Sequence, residues 1–384
     1  MFAVWRQHHS QHVSPPAAVA APLRILFTES SPNFGGQELR IVQDMQWLQA
    51  RGHKVWLAAA VGSGIEKTAA RLGLNIVPIQ FRGSINPRAL LRLAAACRRL
   101  QVRLIVASNS RDVFTAWLAS RMLNIPLVRF QHVCKPLKSD VFHKLSWRLF
   151  PQRIVAGSES IRQRLIEQGL AAPERIEVIG SYVDRAVFHP GVAPGSVRAR
   201  HGIPEAAPLI MQIGMIRPDK GQAVLVRAVD EILEKQADCW FMFVGSACQP
   251  AADHDLRQVV QSIRHPERIV FAGFQRDVAP YIAASDIICL TSLIEAQSKV
   301  IPEAFAMRKL VVASNTGGIA ELVRHGENGF LYQTGSPHAL ANAVAEAFHA
   351  DREKIVSNAF QFAQRLDISR VLQREEDLYR QLAA

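Results

Sequence analysis

Leu23-Arg24-Ile25-Leu26-Phe27-Thr28 reads as a buried strand, and the residues after it decide the fold. Past the loop Asn33-Phe34-Gly35-Gly36-Gln37-Glu38, the apolar residues Ile41, Val42, Met45 and Leu48 fall at helical spacing until Gly52 stops the helix. A second strand comes next over 55–60. Strand, glycine loop, helix and strand make a βαβ unit, because parallel strands can only be joined by a crossover of this kind. The alternation continues through predicted strands near 75–78, 104–107, 127–131 and 153–156. A second series starts around Pro173, with strands predicted near 176–179, 209–214, 240–244, 269–272, 287–291 and 310–313. The predicted fold class is α/β: two doubly wound, Rossmann-like domains whose strand ends face a central cleft, where such sheets place their ligands. The expected organisation is a disordered leader over 1–22, a first domain over 23–172, a second over 173–366, and a final helix over 367–384 able to return to the first domain.

Composition narrows the function. At roughly 100–200 residues per domain, 384 residues suit two domains with sizeable cores. An apolar share of 49% and a charged share of 20% exclude wholesale disorder and a polytopic membrane protein. No stretch approaches the roughly 20 uninterrupted apolar residues that span a bilayer. Cys97, Cys134, Cys239, Cys248 and Cys289 form no C-x-x-C pair, so neither a zinc site nor a disulfide framework is indicated and a reducing cytoplasm is expected. The leader, with His8, His9, His12 and Pro15-Pro16, lacks the basic start and apolar run of a secretory signal.

The formal charge of +12 is unevenly placed. Residues 1–172 hold 23 Lys and Arg against 8 Asp and Glu, whereas residues 173–384 hold 22 against 25. The positive excess raises nucleic acid or an anionic membrane surface as partner. No zinc finger, aromatic ribonucleoprotein motif or repeat supports nucleic acid, so none is expected. The segment 135–153 mixes Lys138, Lys144, Arg148 and Arg153 with Phe142, Leu145, Trp147, Leu149 and Phe150, a composition that suits either an anionic membrane surface or a core helix with a basic outer face.

Several loops after strands carry chemistry. Gly35 and Gly36 open a helix, where backbone N–H groups can approach a phosphate, although the G-x-G-x-x-G dinucleotide spacing is missing. Gly214-Met215-Ile216-Arg217-Pro218-Asp219-Lys220-Gly221 places Lys220 beside a helix start as a point charge for a diphosphate, or as an exposed loop lysine. Glu295-Ala296-Gln297-Ser298-Lys299-Val300-Ile301-Pro302-Glu303 puts one carboxylate in a loop and one in a helix first turn, acceptors suited to sugar or ribose hydroxyls. For Glu303 the alternative is pairing with the helix dipole. Thr316-Gly317-Gly318-Ile319-Ala320-Glu321 repeats the glycine pair at a helix start. Asp253-His254-Asp255 has a metal-holding D-x-D shape but reads as a solvated helix start.

In this order the motifs resemble family 4 of the retaining glycosyltransferases, which have the GT-B architecture. The resemblance runs from Leu23 to the C-terminus through Gly35-Gly36-Gln37-Glu38, Gly52-His53-Lys54-Val55, Ser158-Glu159-Ser160-Ile161, Val183-Asp184 with Phe188 and Pro190, Lys220-Gly221, Ala284-Ser285-Asp286, the Glu295–Glu303 stretch, and Gly317-Gly318 with Glu321. It implies that Gly36 approaches the donor diphosphate, Lys220 neutralises it, Glu303 holds the ribose and Glu295 contacts the donor sugar. The backbone around Gln297, Ser298 and Lys299 would receive phosphate oxygens or sugar hydroxyls, and His132 would sit beside the transferred sugar. Met215 stands where most similar members have Arg, so the phosphate clamp is complete only if Arg217 reaches in.

The implied function is retaining transfer of a sugar from a nucleotide sugar to an envelope glycan or glycolipid, in lipopolysaccharide or polysaccharide biosynthesis. The implied enzyme needs no cofactor or metal, and is cytoplasmic or peripheral on the inner membrane face. A nucleotide-sugar epimerase of the same fold is the alternative, and a non-catalytic nucleic-acid-binding protein a more distant one.

Overall fold

The computed structural model describes residues 21–32, 34–81, 86–109, 111–132, 141–247 and 249–383, without the side chains of 141–143. The expectations for the leader up to residue 20, and for Asn33, Cys134, Lys135, Lys138, Cys248 and the Phe142 side chain, lie outside it. The described residues divide into two compact units, one within Ser181–Ile368, the other formed by those up to Gly180 together with those from Ser369 onward.

In the first unit, strands β1 (Arg24–Glu29), β2 (Lys54–Ala59), β3 (Asn75–Pro78), β4 (Leu104–Ala107), β5 (Leu127–Gln131), β6 (Arg153–Ala156) and β7 (Ile176–Val178) form one sheet in the order β3-β2-β1-β4-β5-β6-β7. Every pair is parallel. The helices between them are α1 (Gly36–Ala50), α2 (Gly64–Arg71), α3 (Pro87–Arg99), α4 (Val113–Leu123), α5 (Val141–Leu149) and α6 (Glu159–Glu167). Parallel strands buried on both faces read as continuous apolar runs, as β4 does with four buried residues.

Side-chain alternation assigns the helices to faces. Leu26, Ile105, Ala107 and Leu127 share one apolar cluster with Leu93 of α3 and Val113 and Ala116 of α4. Arg129, two residues beyond Leu127, points the same way and lies 3.3 Å from the Trp147 ring of α5. Phe130 points to the opposite face, where Arg40 of α1 sits 5.1 Å over its ring. Thus α3, α4 and α5 cover one face and α1 the other.

Ion pairs hold the C-terminal helix, Ile368–Ala383, to this unit. Buried Arg40 binds Asp44 at 3.2 Å, Glu375 at 3.0 Å and the Gly180 carbonyl at 2.7 Å. Tyr379 donates to Glu375 at 2.6 Å. Burial pushes the Glu375 carboxyl up to about 7, with Asp44 adding to the shift and Arg40 opposing it. Glu376 meets Arg51 at 2.7 Å and His53 Nε2 at 3.1 Å, while His53 Nδ1 accepts from the Leu23 N–H at 3.0 Å.

The second unit has a six-stranded parallel sheet in the order β10-β9-β8-β11-β12-β13. Its strands are β8 (Leu209–Ile213), β9 (Trp240–Val244), β10 (Ile269–Gly273), β11 (Ile287–Leu290), β12 (Leu310–Ser314) and β13 (Phe330–Tyr332). Between β8 and β12 lie α8 (Gln222–Lys235), α9 (Pro250–Gln261), α10 (Ala279–Ala284) and α11 (Val300–Ala306), after a short α7 (Val197–Arg200).

Two expectations change. The strand at 176 belongs to the first sheet, with Ile154 opposite Ile176, so the units part at Gly180/Ser181 rather than at Pro173. Pro173 opens a short 3-10 turn into β7 and resembles a linker only in sequence. Strand β13 escapes a sequence reading because only three residues form it, paired from Val312–Phe330 onward.

Arg40→Ala is expected to lower stability by about 3–5 kcal/mol, because it leaves Asp44 and Glu375 buried without their cation. Urea unfolding followed by fluorescence measures the loss, and Arg40→Lys should recover only part of it, since an ammonium cannot reproduce the guanidinium fork.

Candidate functional site

In the second unit β8 and β11 are neighbours, with Ile210 opposite Ile287, so the loops leaving their carboxyl ends emerge side by side. Gln212, near the end of β8, donates to the Lys220 carbonyl at 2.9 Å and accepts from Thr291 Oγ1 at 3.0 Å. Gly221 has φ +63°, and a Cβ there would stand 2.0 Å from the Thr291 carbonyl oxygen, so the two loops touch backbone to backbone where only glycine fits.

These contacts fix Lys220, whose Nζ lies 2.6 Å from Glu295 Oε2. Ser292 Oγ donates to the same oxygen at 3.1 Å. The loop after β12 closes the arrangement: Gly318 N donates to the Glu295 carbonyl at 3.0 Å, and at Gly317, φ +43°, a Cβ would come within 2.1 Å of that carbonyl. Three consecutive strand ends of the sheet thus converge on one ion pair.

Further along the second loop, Ser298 Oγ accepts from Ile301 N at 3.3 Å at the start of α11, and the Ser298 carbonyl accepts from Ser181 Oγ at 2.6 Å. Lys299 Nζ lies 4.8 Å above the Tyr182 ring. The buried Gln297 Nε2 has no hydrogen-bond partner among the described residues. Glu303, in the first turn of α11, has its carboxyl pushed up to about 7 by burial, with nearby Lys299 opposing the shift. Arg217 closes on its neighbour Asp219 through a two-pronged contact of 2.9 and 2.5 Å, and Gln222 Nε2 donates to the Met215 carbonyl at 3.0 Å.

Gly35, Gly36 and His132 belong to the first unit. Glu38 reaches back to accept from Gly35 N at 2.8 Å, and open space surrounds the position a Cβ would take on Gly36. Gln37 donates to Glu29 Oε2 at 2.7 Å, and Ser31 N and Asn109 Nδ2 donate to Glu29 Oε1 at 2.7 and 3.1 Å, anchoring the glycine loop to the end of β1. Desolvation raises the pKa of Glu29 and of the nearby Asp112. His132, just past β5, stacks its ring on Phe130 at 4.0 Å. Asp253 lies within α9 and pairs with Arg257 at 2.7 Å.

Sequence reasoning singled out Lys220, Glu295, Gln297, Ser298, Lys299 and Glu303, and it missed Gln212, Thr291 and Ser292. Gln212 leaves one signal, a polar residue in the otherwise apolar strand Leu209-Ile210-Met211-Gln212-Ile213. Chemically the arrangement offers a fixed cation beside carboxylates and helix-start amides, a surrounding suited to an anion bearing hydroxyl groups.

Residues 207–350 match the family model described as Glycosyl transferases group 1, and residues 34–187 match the model described as Glycosyltransferase Family 4. The chain belongs to glycosyltransferase family 4. This family 4 chain is 27% identical over 259 residues to a D-inositol 3-phosphate glycosyltransferase of Corynebacterium glutamicum, covering 62% of each protein. A protein of the same name from Rhodococcus jostii is 25% identical over 371 residues, covering 85% of this chain and 81% of its own length. The chain spans less than two thirds of the Corynebacterium relative and of a Nocardioides relative, 62% and 64%. A glycosyltransferase of Rickettsia africae superposes with a TM-score of 0.86 at 21% identity, covering 94% of this chain and 99% of that one. Anabaena Alr3699/HepE, in complex with UDP and glucose, superposes with a TM-score of 0.80 at 23% identity, covering 93% and 99%. The fold of this family 4 chain is that of the GT-B glycosyltransferases.

Gly221→Ala is expected to cost more than the roughly 1–2 kcal/mol of a left-handed alanine, because the new methyl also collides with the Thr291 backbone. Scanning calorimetry should show a lowered Tm, and an unchanged Tm would mean that the two loops do not meet as described.

Proposed function

We propose that this chain is a retaining glycosyltransferase that moves a hexose-type sugar from a nucleotide-sugar donor to a cell-envelope glycan or glycolipid, in lipopolysaccharide or polysaccharide biosynthesis on the cytoplasmic side of a membrane. The observation that carries the reading is the Lys220–Glu295 pair at converging strand ends, with Glu303 one helix turn beyond the same loop. A diphosphate drawing Lys220 toward itself leaves Glu295 free to accept from hydroxyls of the donor sugar. Glu303 accepts from the ribose hydroxyls, and Gln297, Ser298 and Lys299 present the loop backbone to phosphate and sugar oxygens. Gly36 and His132, in the first unit, keep on this reading the roles that the resemblance implies for them.

On this reading the acceptor hydroxyl attacks the face from which the diphosphate leaves, through an oxocarbenium-like centre, and gives its proton to the departing phosphate oxygen as the sugar–phosphate bond breaks. Stabilising the departing charge is then the main catalytic term, and Lys220 with helix-start amides supplies it without a metal ion. Arg217 joins them on this reading only by exchanging Asp219 for phosphate. An anionic acceptor is in keeping with the inositol phosphate in the relatives' names and with the basic first half of the chain. No helix among the described residues is long and apolar enough to cross a membrane, so attachment to an anionic inner-membrane surface is peripheral on this reading.

Glu303→Ala is expected to weaken nucleoside diphosphate binding by about 1.5–3 kcal/mol, the worth of a hydrogen bond to a charged group, with the fold intact. Titration calorimetry tests it, and unchanged affinity would count against the assignment of the whole loop.

Since the ribose needs the ionised carboxylate and the free carboxyl titrates near 7, donor affinity should rise with pH through that value and fall below it. Glu303→Gln should flatten the profile.

Activity should also survive a chelator. Loss of turnover that added Mg²⁺ or Mn²⁺ restores would bring Asp253 and Asp255 back into consideration.

A further inference from the structure

The outer layer of the first unit combines two features that soluble surfaces usually keep apart. Helices α3, α4 and α5 carry Arg88, Arg92, Arg98, Arg99, Arg121, Lys144 and Arg148, all exposed, and no Asp or Glu. The same helices supply four of the eight large apolar side chains most exposed among the described residues: Leu91 at 64%, Met122 at 51%, Leu145 at 42% and Leu149 at 63%. They lie on α3, α4 and α5, the three helices that cover one face of the sheet.

Helix α5 shows the arrangement most clearly. Ser146 and Trp147 are buried, Trp147 against Arg129, so the helix has its core side satisfied. Leu145 and Leu149, four residues apart, stand outward together, each preceded by an exposed cation, Lys144 and Arg148. On α3, Leu91 lies between exposed Arg88 and Arg92, and on α4 Met122 comes directly after exposed Arg121. Phe150, at the end of α5, stacks on Trp117 of α4 at 4.0 Å, so these two helices are side by side.

We propose that the outer face of α3, α4 and α5 docks on an anionic lipid bilayer, with the four apolar side chains entering the headgroup boundary and the flanking cations meeting lipid phosphates. Charge complementarity selects this occupant: a face with more cations than exposed apolar side chains, and no carboxylate in the sequence of its three helices, repels a second copy of itself and suits a negative plane. The apolar residues add what charge alone does not give, a preference for an interface that is wet on one side and oily on the other. The proposal deepens the functional reading above, since it names the surface by which such an enzyme reaches a membrane-borne acceptor, and it rests on that reading only for this purpose.

The test is flotation of the full chain with vesicles of phosphatidylcholine alone and with about one third phosphatidylglycerol, at low and physiological salt. Binding is expected only to the anionic vesicles and should fall steeply with salt, as screened charges do. Leu145→Asp with Leu149→Asp should lower the bound fraction at least tenfold, and Arg92→Gln with Arg121→Gln and Lys144→Gln should lower it several-fold. An unchanged circular dichroism spectrum and urea midpoint should show the first unit folded in both, with nucleoside diphosphate affinity unchanged. No binding to anionic vesicles at low salt, equal binding to neutral ones, or undiminished binding by both variants would overturn the proposal. Sugar transfer to a water-soluble acceptor by a protein that ignores vesicles would sink the docking surface and leave the glycosyltransferase reading standing. Vesicle binding without transfer would do the reverse.

Discussion

Lys220 and Glu295 are held 2.6 Å apart across 75 residues of sequence because β8 and β11 are adjacent in a parallel sheet. The pair is partly shielded from solvent, which makes its attraction stronger than that of a surface pair and its disruption without a replacement costly. Everything near it conforms to that requirement. Gln212 and Thr291 lock the two loops beneath it, Gly221 and Gly317 accept backbone contacts that no side chain could survive, and Ser292 satisfies the carboxylate from a third direction. The ion pair holds a positive charge ready at the place where a negative ligand would displace a negative side chain.

Both sheets are legible in the sequence, for identifiable reasons. Parallel strands buried on both faces leave unbroken apolar runs, and the glycine breaks between them mark the crossovers. The reading fails at two three-residue strands: β13 goes unseen because a run so short carries no periodicity, and β7, read as a strand, falls in with the wrong sheet because Pro173 before it resembles a linker. Lys220, Glu295 and Glu303 stand out as charges soon after predicted strands. Gln212 and Thr291 do not, since their work is contact between loops distant in sequence, and nothing in local spacing announces it. The engagement of Arg217 by Asp219 is hidden although the two are only two residues apart, because the direction of a side chain is not written in its position.

The charge of the first half also acquires a structural explanation. Its Glu29, Glu38, Asp44 and Asp112 are all buried, spent on anchoring the glycine loop, on Arg40 and on the interior near Arg129. Carboxylates that could have neutralised the surface have been drawn inward, so the outside of the unit is more basic than its composition alone suggests. The C-terminal helix continues the pattern by placing Glu375 and Glu376 against internal cations rather than on the basic outer face.

That helix makes the first sheet depend on residues far along the chain. Glu375 and Glu376 supply the counter-charges for Arg40 and Arg51, which leave the ribosome long before them. The nascent first sheet therefore emerges with those cations uncovered, and they are matched only after the whole second unit has been made. Splitting the gene at Gly180 would leave one half permanently in that unfinished state, so recombination that exchanges the first sheet between related enzymes has to carry this helix along with it.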